Sequence, residues 1–346
     1  MLNNRENQVI EFIEKNGPIS SREIFVNGNI SASYATIKRI LGKLVEENFL
    51  SVQGLAKATK YSISPSHKLI QPIDIKAYYE NEIDDREIIE TYNLEIINKV
   101  FANHSIFSEN ELQNLNEFHN EFTKNISQLS INDYKKEFER LAIDLSWKSS
   151  QIEGNTYSLL ETEKLLKEKE TAAGKTKEEA SMLLNHKEAL DFIIGNLNYL
   201  NPISVSKIED IHSILVKELG VERNLRKRRI GISGTNYKPL DNEFQIREAL
   251  QNTCDLINLK TNVFEKAFLA LVLISYIQPF MDGNKRTARI VSNAILMSQN
   301  YCPLSFRTVD SIEYKKAMLL FYEQNNISNF KIIFMNQFEF AVKTYF

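Results

Sequence analysis

Residues 278–289, with the sequence QPFMDGNKRTAR, follow a strongly apolar stretch at 267–277 and precede a second helical pattern. Their central Asp-Gly-Asn favours a turn, so this order predicts a loop that opens a helix. At the start of a helix, free backbone N–H groups and the helix dipole favour a bound anion. We therefore expect an anion site here, and phosphate is the anion that the two arginines suit.

Four side chains of this loop have separate roles in that interpretation. Asp282 can hold a divalent cation that bridges two phosphates, and Gly283 lets the backbone approach them because it has no Cβ. Arg286 and Arg289 lie on nearly the same helical face, and each can contact phosphate oxygens through its guanidinium fork. The alternative is an ordinary turn beside two surface arginines. That alternative explains each element separately but not their combination within one short loop.

These residues resemble the signature of the Fic family (Fic/Doc, Fido), which reads His-Pro-Phe-x-Asp/Glu-Gly-Asn-Gly/Lys-Arg-x-x-Arg. Members move AMP from ATP to a protein hydroxyl and hold a metal ion on the acidic residue. The resemblance implies ATP and Mg²⁺ (or Mn²⁺) as ligands, Asp282 as the metal ligand, and a target protein or the chain itself as acceptor. The phosphate-binding residues that it implies are Gly283, Asn284, Lys285, Arg286 and Arg289.

The chain departs from the signature at its first position, where Gln278 stands in place of the family's histidine. In the family, that histidine is the general base that takes the proton from the target hydroxyl. A carboxamide accepts hydrogen bonds but has no useful basicity near neutral pH, and loss of a positioned base costs about 10²–10⁴ in rate. Nucleotide binding need not suffer. We therefore expect a chain that binds ATP but whose transfer activity is weak, altered or lost.

A second resemblance lies in residues 141–154, which end with SSQIEG. Apolar residues recur there at helical spacing and Gly154 suits a helix C-terminus, so Glu153 is expected near a helix end. A carboxylate at that end opposes the helix dipole and needs a cationic partner. The segment resembles the inhibitory helix of Fic proteins, with Ser149 at its first position. The resemblance implies that Glu153 pairs with Arg289 and keeps the ATP γ-phosphate out of its productive place. A solvated helix-end glutamate is the alternative.

Residues 226–240 alternate apolar and polar side chains around a glycine-containing turn, which is typical of two short strands. In Fic proteins a similar β-hairpin, the flap, lies over the active loop and binds the backbone of the target. An isolated hairpin is marginal in water, so we expect this one to pack on the helical body. The flap residues that the resemblance implies are Gly231, Ile232, Ser233 and Gly234.

Residues 1–65 differ in pattern from the rest of the chain. Two short helices are predicted before an amphipathic helix over 33–47, and residues 50–63 are predicted to form a hairpin. Three helices followed by a hairpin, the wing, resemble the winged helix-turn-helix domains of bacterial transcription regulators. The alternative is a protein-contact module whose basic residues are a solvated face. The residues that we expect at DNA are Thr36, Lys38, Arg39, Lys43, Lys57 and Lys60.

The chain has 346 residues, of which 43% are apolar, and a net charge of -3, so it can bury one large core and a smaller one. We expect a mainly α chain with a winged helix over 1–65, a partly helical connector over 66–105 and an all-helical Fic domain with a β-hairpin flap over 106–346. Two cysteines argue against a disulfide framework. Without a signal-peptide pattern or a long apolar span, we expect a cytoplasmic protein with no membrane partner.

Three hypotheses for function follow from these patterns. The first is an autoinhibited AMP transferase that Gln278 makes weak. The second is a nucleotide sensor without catalysis, in which ATP changes DNA binding by the N-terminal region. The third is removal of AMP from a modified protein, with Glu153 activating water. If two chains pair as a homodimer, their helices over 33–47, which would read the DNA bases, would meet half-sites about one DNA turn apart.

Overall fold

In the computed structural model, residues 2–54, 58–64 and 66–346 are described. The N-terminal part consists of helices α1 (Asn4–Asn16), α2 (Ser21–Asn27) and α3 (Tyr34–Glu46), followed by an antiparallel pair of strands, β1 (Leu50–Gln53) and β2 (Lys60–Ile63). Helix α3 buries four aliphatic residues that recur at the spacing of one helix face, namely Ile37, Ile40, Leu41 and Leu44. The helix–helix–helix–hairpin order is the predicted one, and its assignment as a DNA-binding winged helix remains a prediction.

Short elements connect this part to the helical body. Helices α4 (His67–Ile70) and α5 (Ile75–Tyr78) and a π-helical segment (Ile96–Phe101) are joined by irregular chain. The connector is bonded to the body near its start, because the N–H of Ile327 donates to the carbonyl of Leu69 at 2.7 Å and Asn326 donates to the carbonyl of Lys68 at 2.9 Å. The connector therefore lies along the body instead of crossing solvent.

The body is helical throughout the part that carries the predicted loop. Its helices are α6 (Glu109–Gln128), α7 (Ile131–Ile152), α8 (Leu159–Glu168), α9 (Lys177–Gly195), α10 (Val205–Leu215), α11 (Glu243–Leu259), α12 (Val263–Ile277), α13 (Asn284–Ser298), α14 (Ser311–Gln324) and α15 (Ser328–Tyr345). Helix α12 is apolar on all sides and is surrounded by the others, with Phe268 and Ile274 both completely buried. Helices α12 and α13 pack directly on each other, and residues 278–283 join them.

The prediction of a mainly helical chain is confirmed, and the predicted hairpin within 50–63 is present. The second predicted hairpin, the flap at 226–240, is not formed as paired strands. Within the described residues, β1 and β2 form the only sheet. Residues 226–240 form a loop without paired strands, and a β-bridge links Lys238 of this loop to Thr91 of the connector. Alternation predicted two strands there, but among the described residues the two halves of the loop do not pair with each other. We keep the name flap loop for residues 226–240.

Apolar packing runs through the whole chain as one large cluster that includes side chains from the N-terminal helices, with a second small cluster around Tyr157, Leu165 and Leu183. No helix among the described residues combines the length and apolarity needed to cross a bilayer.

Candidate functional site

The loop between α12 and α13 starts and ends with residues in the left-handed region. Gln278 ends α12 with φ of 52°, and Gly283 precedes α13 with φ of 75°. A glycine suits the second position because an L side chain is strained at such a φ. No side chain caps the first turn of α13, whereas Ser130 caps α7 and Thr176 caps α9. The uncapped N–H groups are the feature that an anion-binding helix start requires.

Asn284 holds the loop in shape. Its Oδ1 accepts from the N–H of Phe280 at 2.8 Å, while its Nδ2 donates to the carbonyl of Phe280 at 2.8 Å and to Oε1 of Gln278 at 3.1 Å. The resemblance implied a phosphate contact for Asn284, but in this structure all the hydrogen bonds of its side-chain amide are to Gln278 and Phe280 of the loop. The side chain therefore organises the loop backbone.

The two arginines of the loop helix are almost completely buried. Arg286 donates to Oδ2 of Asp282 and to the carbonyl of Leu215, at 3.3 and 3.4 Å. Arg289 donates to the hydroxyl and the carbonyl of Ser149, at 2.8 and 2.9 Å. Nε of Arg286 and Nη1 of Arg289 are buried without a partner among the described residues. Unpaired buried donors are costly, and an anionic ligand would supply acceptors.

Glu153 lies at the C-terminus of α7 and faces this cationic helix start. Its Oε1 accepts from Nη2 of Arg289 at 2.8 Å, and its Oε2 lies 3.6 Å from Nζ of Lys285. Gly154 follows with φ of 103°, which lets the chain leave the helix directly after the carboxylate. The structure thus brings Ser149 and Glu153, at the end of α7, to Arg289, which lies 136 residues after Glu153 in the sequence.

Electrostatics keeps this pair charged. Burial alone raises the pKa of Glu153, but Arg289 and then Lys285 outweigh it, so the pKa lies below its usual value. The pKa of Arg289 is raised: burial opposes the charge, but Tyr314 and Glu153 more than offset it. Burial lowers the pKa of Arg286, and the nearby Asp282 partly compensates. Arg289 therefore has a carboxylate partner that a phosphate would have to displace.

Both the NH₂ group and the oxygen of the Gln278 side chain are hydrogen-bonded to other protein groups. Its Nε2 donates to the carbonyl of Ser275 at 2.6 Å and to the hydroxyl of Tyr322 at 3.4 Å, while its Oε1 accepts from Asn284. The side chain is 7% exposed. The amide closes the end of α12, where carbonyl groups lack helical partners. The side chain therefore supports the end of α12, and the amide itself supplies no base.

A cleft of about 350 Å³ lies above the loop. Its floor includes Gln278, Gly283 and Lys285, and Glu153 borders it. The flap loop lies on another side, and α14 contributes Lys315, Met318 and Leu319. The flap residues that line the cleft are Ile230, Gly231, Ile232 and Ser233. Gly234 is not among these lining residues. The volume of the cleft is within the range of small-molecule sites, about 300–1,000 Å³.

Asp282 fits a metal that a phosphate ligand helps to hold. Its carboxylate is 66% exposed, with Oδ1 accepting from the N–H of Gly283 at 2.6 Å. The described residues contain no cluster of three or more His, Cys, Asp or Glu side chains that would bind a metal by themselves. Mg²⁺ commonly binds through one or two carboxylates plus substrate phosphates. Asp282 suits that arrangement and does not suit a site made of protein ligands alone.

Two buried histidines below the loop had no assigned role in the sequence. The ring of His212 stacks on Phe280, with centroids 3.6 Å apart, and its Nδ1 lies 3.2 Å from the hydroxyl of Thr287. His186 lies beside Ser146, and burial followed by the charge of Arg289 lowers its pKa well below the usual value. Neither histidine lines the cleft.

Arg226 is the site residue that sequence reasoning missed. It is fully buried, and its Nε donates to the carbonyl of Gln278 at 2.6 Å, while its own N–H donates to the carbonyl of Pro279 at 2.9 Å. It also donates to the carbonyls of Arg228 and Leu240. A basic residue at the start of the predicted flap was visible in the sequence, but nothing there showed that it would be buried.

The residues expected to contact DNA all belong to the N-terminal part, but they differ in exposure and in ion pairing. Lys38, Arg39 and Lys60 are exposed, and Thr36 is half-buried. Nζ of Lys43 lies 2.7 Å from Oε1 of Glu6, whose side chain is almost buried, so Lys43 already has a partner. Lys57 lies outside the described residues.

Known proteins support the assignment of the loop. Residues 202–296 match the model of the Fic/DOC family. Protein adenylyltransferase fic-1 of Caenorhabditis elegans is 27% identical over 173 residues, which are 48% of this chain and 34% of that protein. Protein adenylyltransferase Fic of Nematostella vectensis is 31% identical over 173 residues, covering 48% of this chain and 40% of that protein. The chain spans less than half the length of these relatives.

A solved fragment of Fic-1 from C. elegans has the same fold, with a TM-score of 0.60 and 21% identity over 68% of this chain and 71% of that chain. The family match covers the flap loop, the loop at 278–283 and both arginines but begins well after Glu153, which only the tertiary structure brings to the site. Residues 202–296 therefore form a Fic/DOC family domain.

Proposed function

We propose that this chain binds ATP together with a divalent cation at the loop between α12 and α13, and that it is a weak, autoinhibited relative of the protein adenylyltransferases. The observation that carries this proposal is the contact between Arg289 and Glu153 at the uncapped start of α13. A buried arginine at a helix start suits a phosphate, and a carboxylate already occupies it.

Three features of the site would bind the triphosphate. The N–H groups of the first turn of α13 and the guanidinium groups of Arg286 and Arg289 would contact phosphate oxygens, and Lys285 would add a mobile positive charge. A divalent cation at Asp282 would bridge phosphates and neutralise charge that builds up on them. Because Glu153 is paired with Arg289, that arginine is not free for the terminal phosphate. The terminal phosphate would then bind in a less productive place.

Transfer would need a hydroxyl of a protein to lose its proton as it attacks the α-phosphorus of ATP, with pyrophosphate leaving. Gln278 occupies the position of the base in the family's signature, and its amide is held by Ser275, Tyr322 and Asn284. Because an amide does not accept a proton near neutral pH, we expect transfer slower by about 10²–10⁴ than with a positioned base.

Nucleotide binding is tested by the melting temperature with and without ATP and Mg²⁺. A ligand that binds only the folded chain stabilises it by mass action, so the temperature should rise with ATP concentration. Arg286→Ala should weaken binding by about 1.5–3 kcal/mol, as expected for a lost hydrogen bond to a charged group. A matched control is Arg228→Ala, because Arg228 is exposed and pairs with Glu222. The absence of a shift with every nucleotide would refute the phosphate site.

Chemistry is tested with ATP labelled at the α-phosphate. The unaltered chain should label itself or other proteins very slowly, and Gln278→His alone should remain inhibited by Glu153. Gln278→His combined with Glu153→Gly should label about 10²–10⁴-fold faster than Glu153→Gly alone. Glu170→Gly is the control, since Glu170 is an exposed glutamate paired with Lys164. Fast labelling by the unaltered chain would show that another group acts as base.

The second candidate function is a nucleotide-sensing transcriptional regulator without catalysis. It is favoured by the fully bonded amide of Gln278, which leaves the binding features of the loop intact but no base. In that case ATP would change DNA binding by the exposed basic residues of the N-terminal part. A third candidate is AMP removal with Glu153 as base for water. Its lowered pKa and its bond to Arg289 disfavour this role while the ion pair persists.

A further inference from the structure

Residues 84–91 of the connector, here called the strap, contact the outer side of the flap loop at three places. Nη2 of Arg86 donates to the carbonyl of Gly234 at 2.9 Å, and Nδ2 of Asn236 donates to Oδ1 of Asp84 at 2.9 Å. The N–H of Lys238 donates to the carbonyl of Glu90 at 2.6 Å. The strap thus follows the flap loop from Gly234 to Lys238.

The strap itself is held firmly by the body through Arg86. Nη1 of Arg86 lies 3.3 Å from Oε2 of Glu323, and the two side chains are only 4% and 0% exposed. The guanidinium lies over the ring of Tyr79 at 4.9 Å, and the hydroxyl of Tyr78 donates to the same carboxylate oxygen at 2.7 Å. A buried charge with a bonded partner does not move without a large desolvation cost. Arg86 therefore connects a fixed point of α14 to the flap loop.

The middle of the flap loop, residues 229–236, has few hydrogen bonds of its own. Among the described residues, the carbonyl of Gly234 is the only backbone group of residues 229–236 with a hydrogen bond. The side chain of Tyr237 packs at the loop's end and donates to the carbonyl of Tyr276 at 3.2 Å. Residues 230–233 line the cleft, and their N–H and C=O groups have no protein partner in the described chain. Such an edge can accept an extended polypeptide by backbone pairing.

We propose that Arg86 is the positioning residue of the flap loop. By bonding Gly234 while held by Glu323, it sets the distance of residues 230–233 from the cleft. An extended target polypeptide then pairs with those residues and presents its hydroxyl to the nucleotide. This inference rests on the proposed function, but it makes the connector, which the family match does not include, a part of the target-binding site.

Arg86→Lys separates this role from a general structural one. A lysine keeps a positive charge for Glu323, but its single nitrogen cannot serve both Glu323 and the distant carbonyl of Gly234. Amide hydrogen exchange of Tyr237 and Lys238, whose N–H groups are hydrogen-bonded beside Gly234, should become about ten-fold faster, with exchange in α12 and α13 unchanged. Arg229→Lys is the control, because Arg229 lies in the same loop but is 85% exposed and pairs with Asp241. Unchanged flap exchange in Arg86→Lys overturns the proposal.

Asn236→Ala gives a second route if Arg86→Lys does not fold. It removes the bond to Asp84 without touching a buried charge, and it should also speed exchange of the flap loop. Equal exchange in Asn236→Ala and in the unaltered chain would overturn the proposal as well.

A kinetic arm uses the Gln278→His, Glu153→Gly chain as enzyme and an excess of the unaltered chain as acceptor. Adding Arg86→Lys should raise KM for the acceptor about ten-fold and leave KM for ATP unchanged. Equal acceptor KM values, or an equal loss for ATP and acceptor, overturn the positioning role. If that enzyme labels nothing, the proposed transfer fails, while the exchange experiment still decides whether Arg86 positions the loop.

Discussion

Arg226 is fully buried, and its guanidinium donates to backbone carbonyl groups without a carboxylate bonded to it among the described residues. Burial lowers its pKa to about 10, with Tyr237 and Asp241 opposing the shift. One of its acceptors is the carbonyl of Gln278, where α12 ends with the negative end of its dipole. A single cation therefore fixes both the end of α12 and the base of the flap loop.

Arg226→Met should destabilise the chain by about 3 kcal/mol, because it removes charge-assisted bonds and leaves buried carbonyls unpaired. Urea denaturation measures this as a lower midpoint. Arg228→Met should change stability by less than about 0.5 kcal/mol, since Arg228 is 70% exposed and its ion pair is at the surface. Equal midpoints for the two variants would contradict the role of Arg226.

His212 predicts a pH dependence of stability. Burial, as the largest cause, lowers its pKa from 6.5 to about 4. The unfolded chain therefore takes up a proton before the folded chain does, so stability is full above about pH 6.5 and declines as the pH falls towards 4. The loss from this residue should reach about 3 kcal/mol.

The measurement is the free energy of unfolding by urea at several pH values, for the unaltered chain and for His212→Asn. The variant should lose most of this slope, and His186 should keep a part because its pKa is also lowered. The control is His104→Asn, where the side chain is only partly buried and the slope should change little. A slope that His212→Asn leaves intact would assign the effect elsewhere.

At the scale of elements, the site is the meeting of two helix ends. The C-terminus of α7, with its negative dipole end and Glu153, faces the N-terminus of α13, with its positive dipole end, Lys285 and Arg289. The two ends attract each other, and α12 holds α13 in place through close apolar packing. Autoinhibition would therefore be a property of helix packing, and its strength would follow the charge of Glu153.

Because the pKa of Glu153 is lowered from 4.5, its charge is present above that value, and the stability it adds is lost only as the pH falls below it. The ratio of labelling by Gln278→His, Glu153→Gly to labelling by Gln278→His should therefore stay constant from about pH 6 to 9. Initial rates at several pH values measure the ratio. A ratio that falls steadily below about pH 7 would mean that Glu153 is protonated in that range.

At the scale of the whole molecule, the N-terminal part and the Fic domain share one apolar cluster, and the connector bonds to both the flap loop and the turn before α15. A signal between a DNA-contacting surface and the nucleotide would have this physical path. We propose DNA binding for the N-terminal part, with ATP changing its affinity by about 1–3 kcal/mol if the two regions communicate.

DNA affinity should fall in Lys38→Ala and in Arg39→Ala, and it should decrease steeply with salt if several phosphates are neutralised. Lys43→Ala should have a smaller effect, because Lys43 is already paired with Glu6. Lys15→Ala, an exposed change on α1, is the control. Selection from random DNA at low salt, followed by affinity measurements with and without ATP, tests this. Recovery of no bound DNA would leave the N-terminal part a protein-contact module.

The local patterns of the sequence predicted much of the site. The apolar α12, the turn at 282–284, the two arginines one helical turn apart and the helix end at Glu153 depend on short-range spacing, and all are present in the structure. The hairpin wing also followed from local alternation and a turn glycine. The flap was the exception, because a strand needs a partner and alternation alone does not supply one.

Tertiary structure alone decided the contacts between distant segments. The sequence by itself determined that Glu153 ends a helix and that Arg289 follows a loop that opens a helix, but the 2.8 Å bond between them depends on the packing of α7 against α13. The burial of Arg226 and His212 and the contact of Arg86 with Gly234 were equally hidden. Spacing along a chain sets which face of a helix a side chain occupies, whereas burial and ion pairing depend on which other helix covers that face.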